Sequence, residues 1–176
     1  LMRGWAERMN IEIAKSLDTD IATAIWSRDC YDARAMWYHW SIIEIDPGFK
    51  KGMLWFLKMK WKFFKSRKLL SKYDTVLFSN EAISGIWAIQ PGTKTLYYAH
   101  SISRHLFDQR SEYLAKVSFF IKPIYLISSI FLKWIYIQEI NKIDTIFVNS
   151  QSNKKRISEY FWRDDSIVIY PSVDTQ

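Results

Sequence analysis

Four short uncharged runs, rich in β-branched and aromatic residues, constrain the fold of this chain most strongly. They occupy residues 75–78, 95–99, 145–148 and 167–170, and stretches with helical patterning separate them. Strands that are buried on both faces of a parallel sheet have this composition. Alternation of strands and helices along a chain favours a parallel sheet with right-handed crossovers. The sequence therefore predicts an α/β fold.

Length and composition indicate one domain with a substantial core, because the chain has 176 residues of which 49% are hydrophobic. Cys30 is the only cysteine, so neither an intrachain disulfide nor a cysteine-based metal site can form, and a reducing compartment is expected. The first residues do not have the pattern of a signal peptide. The longest uncharged apolar run, residues 123–132, is shorter than the roughly 20 residues that span a bilayer. These observations predict a cytoplasmic protein.

The first part of the chain reads as one helix and one or two strands. Residues 4–17 have an apolar face at helical spacing, and residues 21–26 are typical of a short buried strand. Residues 28–46 have no clean period, so a helix with a loop and a weak strand near residues 41–45 both remain open. In a doubly wound sheet a strand should precede Gly4, and we expect that this first strand is missing from the chain.

Residues 50–72 carry most of the positive charge. The formal net charge is +7, and nine basic residues with no acidic one lie between residues 47 and 73, which leaves the rest of the chain slightly acidic. A helical count places seven lysines on one third of the circumference: Lys50, Lys51, Lys58, Lys62, Lys65, Lys68 and Lys72. Trp55 and Trp61 lie at the edges of the apolar remainder. This pattern favours a helix that lies on anionic lipid.

Two other interpretations of residues 50–72 remain open. The segment is also compatible with a helix that packs on a sheet and exposes a solvated lysine face. An RNA-binding helix is the weaker alternative, because the chain contains no recognisable RNA-binding motif and its charge is confined to one segment. We therefore expect no nucleic-acid partner.

Residues 114–141 are strongly apolar, and Pro123 is expected to break or kink a helix there. A core, a partner protein or lipid could cover this segment, and the pattern alone favours a core. The residues concerned are Phe119, Phe120, Ile124, Ile127, Ile130, Phe131, Trp134 and Ile137.

The most informative polar cluster lies in residues 94–104, where His100, Ser101 and Arg104 follow the predicted strand 95–99. Ligands of open α/β sheets bind outside the carboxyl ends of the strands, so His100 is a candidate catalytic residue. A loop histidine that only caps the next helix is the alternative. For Arg104, an ion pair with Asp108 four residues later is the alternative to ligand binding.

Several motifs in order resemble the acceptor-side domain of family 4 retaining glycosyltransferases, in particular the mannosyltransferase-type enzymes of O-antigen and capsule assembly. Residues 4–8, Gly-Trp-Ala-Glu-Arg, are similar to the family's Gly-Gly-x-Glu helix start. The other segments are Tyr-Asp-Thr-Val-Leu-Phe-Ser (73–79), Tyr-Ala-His-Ser-Ile-Ser-Arg (98–104), Phe-Asp (107–108), Glu-Tyr-Leu (112–114), Ile-Asp-Thr-Ile-Phe-Val-Asn-Ser (143–150), Arg-Ile (156–157) and Val-Ile-Tyr-Pro-Ser-Val-Asp (168–174).

This resemblance implies a Rossmann-like doubly wound parallel sheet that forms the N-terminal half of a GT-B glycosyltransferase. Residues 1–170 would be the incomplete acceptor-binding domain and residues 171–176 the start of a linker, while the C-terminal donor-binding domain is absent. The whole enzyme would transfer a sugar, plausibly mannose from GDP-mannose, to a lipid-linked saccharide with retention. Its only co-substrate would be the nucleotide sugar, with no metal, and this half alone would be inactive.

The resemblance also assigns roles to residues. Gly4 would bring a helix N-terminus to the donor diphosphate, whereas Trp5 departs from the family's second glycine. His100 would lie beside the donor sugar, with Ser101 at the substrate and Arg104 at a phosphate or acceptor group. The basic amphipathic pattern of residues 50–72, and not the resemblance, predicts that Lys58, Lys62, Lys65, Trp55 and Trp61 hold the protein on the cytoplasmic face of a membrane. The alternative function is a non-catalytic, membrane-peripheral module that acts through residues 50–72.

Overall fold

The structure is a computed structural model that describes residues 5–23, 33, 36–45 and 55–171, without the side chains of residues 5, 55–57 and 59. The chain divides into two compact units. Unit 1 comprises Leu1–Asp74 and Trp87–Thr93, and unit 2 comprises Thr75–Ile86 and Lys94–Gln176.

Unit 1 begins with helix α1 (Trp5–Ser16) and strand β1 (Ile21–Thr23), which pairs in parallel with strand β2 (Ile42–Glu44). The predicted first helix is confirmed, and the predicted strand 21–26 is confirmed over its first three residues. The strand near residues 41–45 is the correct one of the two open alternatives. Residues 24–26, Gly4 and any strand before it lie outside the described residues.

Two polar side chains fix the small core of unit 1, which contains Ile11, Ala14, Ala33 and Tyr38. The buried Tyr38 hydroxyl donates to the Thr19 carbonyl at 2.8 Å. The carboxylate of Asp20 accepts from the Ser41 N–H at 2.9 Å and from the Tyr73 hydroxyl at 2.7 Å. These bonds join the end of α1 to the residues that precede β2.

Residues 50–72 do not form the single predicted helix. In their described part, helix α2 (Trp55–Phe64) ends before helix α3 (Arg67–Leu70) begins. At the break the Ser66 hydroxyl donates to the Lys62 carbonyl at 2.9 Å, and the Ser66 N–H bonds the carbonyl three residues back. Such serine bonds compete with the regular helical pattern. The helix is therefore interrupted at Ser66, and residues 50–54 lie outside the described part.

Unit 2 is built on a four-stranded parallel sheet. Its strands are β3 (Thr75–Ser79), β4 (Lys94–Ala99), β5 (Thr145–Val148) and β6 (Ile167–Val168), in the order β3-β4-β5-β6. The predicted parallel pairing of the runs 75–78, 95–99 and 145–148 is confirmed. The α/β class is confirmed as well. The four strands follow chain order in one direction, so this sheet by itself does not contain the reversal of order that defines a doubly wound sheet.

The central strands are buried as their composition predicts. Tyr97, Ile146 and Val148 have no exposed surface. At the amino edge of the sheet, Asp144 and Thr95 bond reciprocally: the Asp144 carboxylate accepts from the Thr95 N–H and hydroxyl, both at 2.7 Å, and the Asp144 N–H donates to the Thr95 hydroxyl at 3.0 Å. This pair sets the register of β4 and β5 where both strands begin.

Helical segments connect the strands of unit 2. The 3₁₀ helix Asn80–Ala88 follows β3, and the 3₁₀ helix Arg104–Leu106 and helix α4 (Arg110–Lys116) follow β4. The helical region after β4 thus consists of two pieces. Helix α6 (Gln151–Phe161) follows β5, and the Ser150 hydroxyl caps it by accepting from the Asn153 N–H at 3.2 Å.

Helix α5 (Lys122–Asn141) has Pro123 in its first turn, where the missing N–H leaves no helical hydrogen bond unmade. Pro123 therefore marks the start of the helix. The favoured interpretation, that the eight apolar residues listed between positions 119 and 137 face a core, is wrong for seven of them. Phe119, Phe120, Ile124, Ile127, Ile130, Phe131 and Trp134 are 55–87% exposed, while Ile137 is half-buried. The buried side of α5 is the opposite one, with Ser129, Tyr136, Glu139 and Ile140.

Candidate functional site at the carboxyl edge of the unit 2 sheet

His100 directly follows β4 and lies at the carboxyl edge of the sheet, where the sequence predicts it. Its side chain is buried, with 8% of the residue exposed. The imidazole lies edge-on to the Tyr98 ring, with the two ring centroids 4.7 Å apart. The Tyr98 hydroxyl in turn donates to the Ile169 carbonyl at 2.9 Å, so the residue that contacts His100 is itself anchored.

Two asparagine side chains hold the backbone of His100. The amide groups of Asn149 and Asn153 donate to the His100 carbonyl at 2.8 and 3.1 Å. The Asn153 amide also donates to the Asn149 side-chain oxygen at 2.7 Å. Asn149 directly follows β5, and Asn153 lies in the first turn of α6. The end of β5 and the helix after it therefore position His100. No local pattern in the sequence marks Asn153 as a residue of this site.

Burial lowers the pKa of His100 from its ordinary value of 6.5 to about 4. The imidazole is therefore neutral at pH 7, with one nitrogen that donates and one that accepts. A neutral imidazole in this position can bond the hydroxyl groups of a ligand or donate to an oxygen that gains negative charge.

Replacing His100 with glutamine is expected to change how stability depends on pH. The unfolded state binds a proton below pH 6.5 and the folded state only below about pH 4. The wild type therefore loses stability as the pH falls through this window, by at most about 1.4 kcal/mol per pH unit from this residue. The His100→Gln variant lacks that loss. Urea unfolding at several pH values between 7.5 and 4 measures the difference, and parallel curves for the two proteins would contradict it. The lowered pKa of His105 also makes stability fall as the pH falls, but it contributes equally in the wild type and in the His100→Gln variant.

A buried carboxylate lies at the same edge of the sheet, just after β3. Glu81 Oε1 accepts from the Ser103 hydroxyl at 2.7 Å. The other carboxylate oxygen, Oε2, and the Ser79 hydroxyl are buried and have no hydrogen-bond partner among the described residues. The strand-end rule that selects His100 would also have selected Glu81, which follows the neighbouring strand by two residues. Ser79, Asn80 and Glu81 also have the composition of a helix cap, and that local pattern hides the signal.

Arg104 forms the ion pair that the sequence left as an alternative. Its Nε and Nη2 atoms are both 3.0 Å from Asp108 Oδ2, and Arg156 Nη2 is 3.5 Å from the same oxygen. Burial would raise the pKa of Asp108, but the hydrogen bond from Arg104 and the charges of both arginines lower it. Arg156 also donates to the Asn153 side-chain oxygen at 3.3 Å. A chain of polar contacts thus runs from Arg104 to the backbone of His100 and carries one net positive charge.

The remaining predicted site residues are distributed over both units. Ser101 is exposed beside His100 in unit 2. In unit 1, Lys58, Lys65 and Trp61 are exposed and Lys62 is half-buried.

Three predicted site residues cannot be placed fully. Gly4 lies outside the described residues, Trp5 is the first residue of α1, and Trp55 is the first residue of α2. The side chains of both tryptophans lie outside the described part. The predicted roles of Gly4 and Trp5 at a donor diphosphate therefore stay predictions.

No family model matches this sequence, and none of the curated proteins searched matches it either. Among the residues that the structure describes, no three His, Cys, Asp or Glu side chains converge into a metal site. None of the described helices combines the length and apolar character needed to cross a membrane.

Proposed function

We propose that this chain is the acceptor-side domain of a retaining glycosyltransferase that transfers a sugar from a nucleotide-sugar donor to a lipid-linked saccharide. The observation that carries the proposal is a buried imidazole, neutral at pH 7, that three structural elements hold at the carboxyl edge of a parallel sheet. This is where α/β proteins bind their ligands. The motif resemblance supplies the reaction type.

The chemistry of the edge suits a sugar phosphate. Sugar hydroxyls both donate and accept hydrogen bonds, and the neutral imidazole of His100 offers one donor and one acceptor for them. The guanidinium groups of Arg104 and Arg156 have the planar donor geometry that binds an anionic group such as a phosphate. A donor at that edge would leave its departing diphosphate near charged and hydrogen-bonding groups, which stabilise developing negative charge.

The finer architecture belongs to this proposal. We infer a Rossmann-like doubly wound domain over residues 1–170, with a linker from residue 171 to a C-terminal domain that holds most of the donor. The four-stranded parallel sheet of unit 2 supports this inference, because such sheets are built from repeated strand-helix units. The donor would be GDP-mannose and the reaction would require no metal.

The test is a transfer assay on the full natural protein that contains this chain. The protein is incubated with a lipid extract and a panel of radiolabelled nucleotide sugars that includes GDP-mannose. We expect label in the lipid phase and stoichiometric release of a nucleoside diphosphate from one donor. Failure to transfer from every donor, by a protein that is shown to be folded, would contradict the proposal.

A membrane-peripheral role is the second candidate, and the exposed surface of α2 and α3 favours it. Lys58, Lys65, Arg67, Lys68 and Lys72 are exposed there. Trp61 and Phe64 are 55% and 48% exposed, and their rings stack with centroids 5.7 Å apart. The Lys65 ammonium lies 4.8 Å from the Trp61 ring centroid. Exposed basic and aromatic side chains on one surface are typical of contact with anionic headgroups.

Replacing Lys58, Lys62 and Lys65 by glutamate is expected to release the protein from anionic vesicles. Each lysine near such a surface contributes about 1 kcal/mol, so three charge reversals should weaken binding by at least 100-fold at low salt. Vesicle co-sedimentation measures the effect, and circular dichroism checks the fold. Reversing Lys94, Lys142 and Lys155 changes the net charge equally at exposed positions outside α2 and α3. An equal loss of binding in this control would show that total charge, not the α2 surface, is responsible.

A further inference from the structure

Helix α5 and the residues before it present a second surface that the proposed sugar transfer does not use. We call it the apolar face. It consists of eight side chains that are 54–87% exposed: Phe119, Phe120, Ile121, Ile124, Ile127, Ile130, Phe131 and Trp134. Together they expose apolar area on the order of 1,000 Å², well above the few hundred Å² of a typical soluble monomer. A surface of this size requires an occupant.

The apolar face cannot be explained as the ordinary outer side of an amphipathic helix. The opposite side of α5 is already buried in unit 2 through Tyr136 and Ile140, which are 3% and 0% exposed. A helix in this position normally has a polar outer side, whereas an all-round apolar helix is found in a core or in lipid. The outer side of α5 therefore has the composition of a second contact surface.

The charges around the apolar face indicate the occupant. Residues 113–138 contain Lys116, Lys122 and Lys133 and no acidic residue. Lys116 is exposed, and the other two lysines are half-buried. The Lys133 ammonium lies 5.0 Å from the Phe107 ring centroid, so Lys116 and Lys122 supply the positive charge of this segment. An apolar surface with these lysines and no carboxylate among residues 113–138 complements an anionic bilayer, in which aromatic and aliphatic side chains enter the headgroup boundary while lysines contact phosphates.

A second copy of the chain fits the same surface less well. In a symmetric dimer each patch faces its own equivalent. The lysines of one copy would approach those of the other, and residues 113–138 offer no carboxylate to pair with them. Anionic lipid removes this repulsion.

We propose that the apolar face docks on an anionic lipid surface, with α5 lying along the headgroup boundary. The helix does not cross the bilayer, in agreement with the absence of a membrane-spanning helix among the described residues. This proposal does not depend on sugar transfer, and it differs from the α2 contact because insertion of apolar side chains, not charge, supplies most of the attraction. Binding should therefore persist in part at high salt.

The test uses the chain and vesicles of equal parts phosphatidylcholine and phosphatidylglycerol. Replacing Phe120, Ile124 and Ile127 by serine is expected to lower the vesicle partition coefficient at least tenfold, both at low and at high salt. A second variant, Phe131→Ser with Trp134→Ser, alters the other end of the apolar face and should also lower the vesicle partition coefficient. The loss should also appear in the background of the three α2 lysine reversals.

Leu17→Ser with Trp162→Asn is the matched control, because these apolar residues are 59% and 75% exposed outside the apolar face. Vesicle binding that is unchanged in both face variants would overturn the proposal and assign the surface to a polypeptide partner. A wild type that is dimeric by sedimentation velocity, with face variants that become monomeric, would overturn it in favour of a second copy. An equal loss of vesicle binding in the control would also overturn the proposal, because it would show that any exposed apolar residue contributes to binding.

Discussion

Replacing His100 by alanine is expected to reduce sugar transfer by the full-length protein roughly 10²–10³-fold, the effect of removing one positioned donor to developing charge. The reason is the fixed geometry of this residue, whose carbonyl accepts from two asparagine amides while its ring lies against Tyr98. Because the two asparagine amides hold the backbone carbonyl, which the alanine variant retains, that variant should keep its fold. Initial transfer rates at saturating donor and acceptor measure the loss.

Two further variants make this experiment specific. His105→Gln changes a half-buried histidine, whose ring contacts Tyr113 at a centroid distance of 5.9 Å, and should change the rate less than about twofold. Glu81→Gln keeps the shape of the side chain that accepts from the Ser103 hydroxyl. A lower transfer rate in this variant would therefore show that the negative charge of Glu81 is needed. Wild-type turnover in the His100→Ala enzyme would show that His100 is not catalytic. A fall in melting temperature that matches the fall in activity would show that His100 has only a structural role.

Replacing Phe161 by alanine is expected to lower the free energy of unfolding by about 3–5 kcal/mol. Phe161 is 1% exposed, and its ring meets those of Phe107 and Tyr136 edge-on at centroid distances of 5.2 and 5.5 Å. The substitution removes apolar burial and both ring contacts, and it leaves a cavity between α6 and α5. The midpoint of urea unfolding should fall with little change in its slope.

Phe120→Ala is the control for this substitution, since it deletes the same atoms at a position that is 87% exposed. Its free energy of unfolding should lie within about 0.5 kcal/mol of the wild type. Equal destabilisation by the two substitutions would mean that the outer side of α5 is covered in the free protein. That outcome would also contradict the lipid-docking proposal.

The strands of unit 2 could be predicted because burial on both faces leaves a direct signature in composition. The run 145–148 is uncharged and β-rich, and it is β5 with the same bounds. Ser150 could be predicted as a cap for a similar reason, because capping is a local interaction between residues three apart. Signals that depend on near neighbours are therefore legible in a single sequence.

The predictions that were wrong depend on which part of the molecule packs against a helix, or on where a helix is interrupted. A helical count shows that Ile124 and Ile127 share a side of α5, but it does not show whether anything covers that side. The count also assumes an unbroken helix, and Ser66 interrupts it. At the candidate site, position after a strand was enough to find His100. Asn153 was not found, because its partner lies 53 residues earlier in the chain and no local pattern joins them.

That long separation has a consequence for protein synthesis. The loop after β4 leaves the ribosome before the asparagines that anchor it have been made. At about 5–20 residues per second, the 53 residues between His100 and Asn153 take a few to about ten seconds to add. Until Asn149 and Asn153 have also emerged, the histidine loop of the nascent chain lacks both amide donors. Its arrangement is completed only when α6 has emerged, so an amino acid exchange at Asn153 would act first on the yield of folded protein.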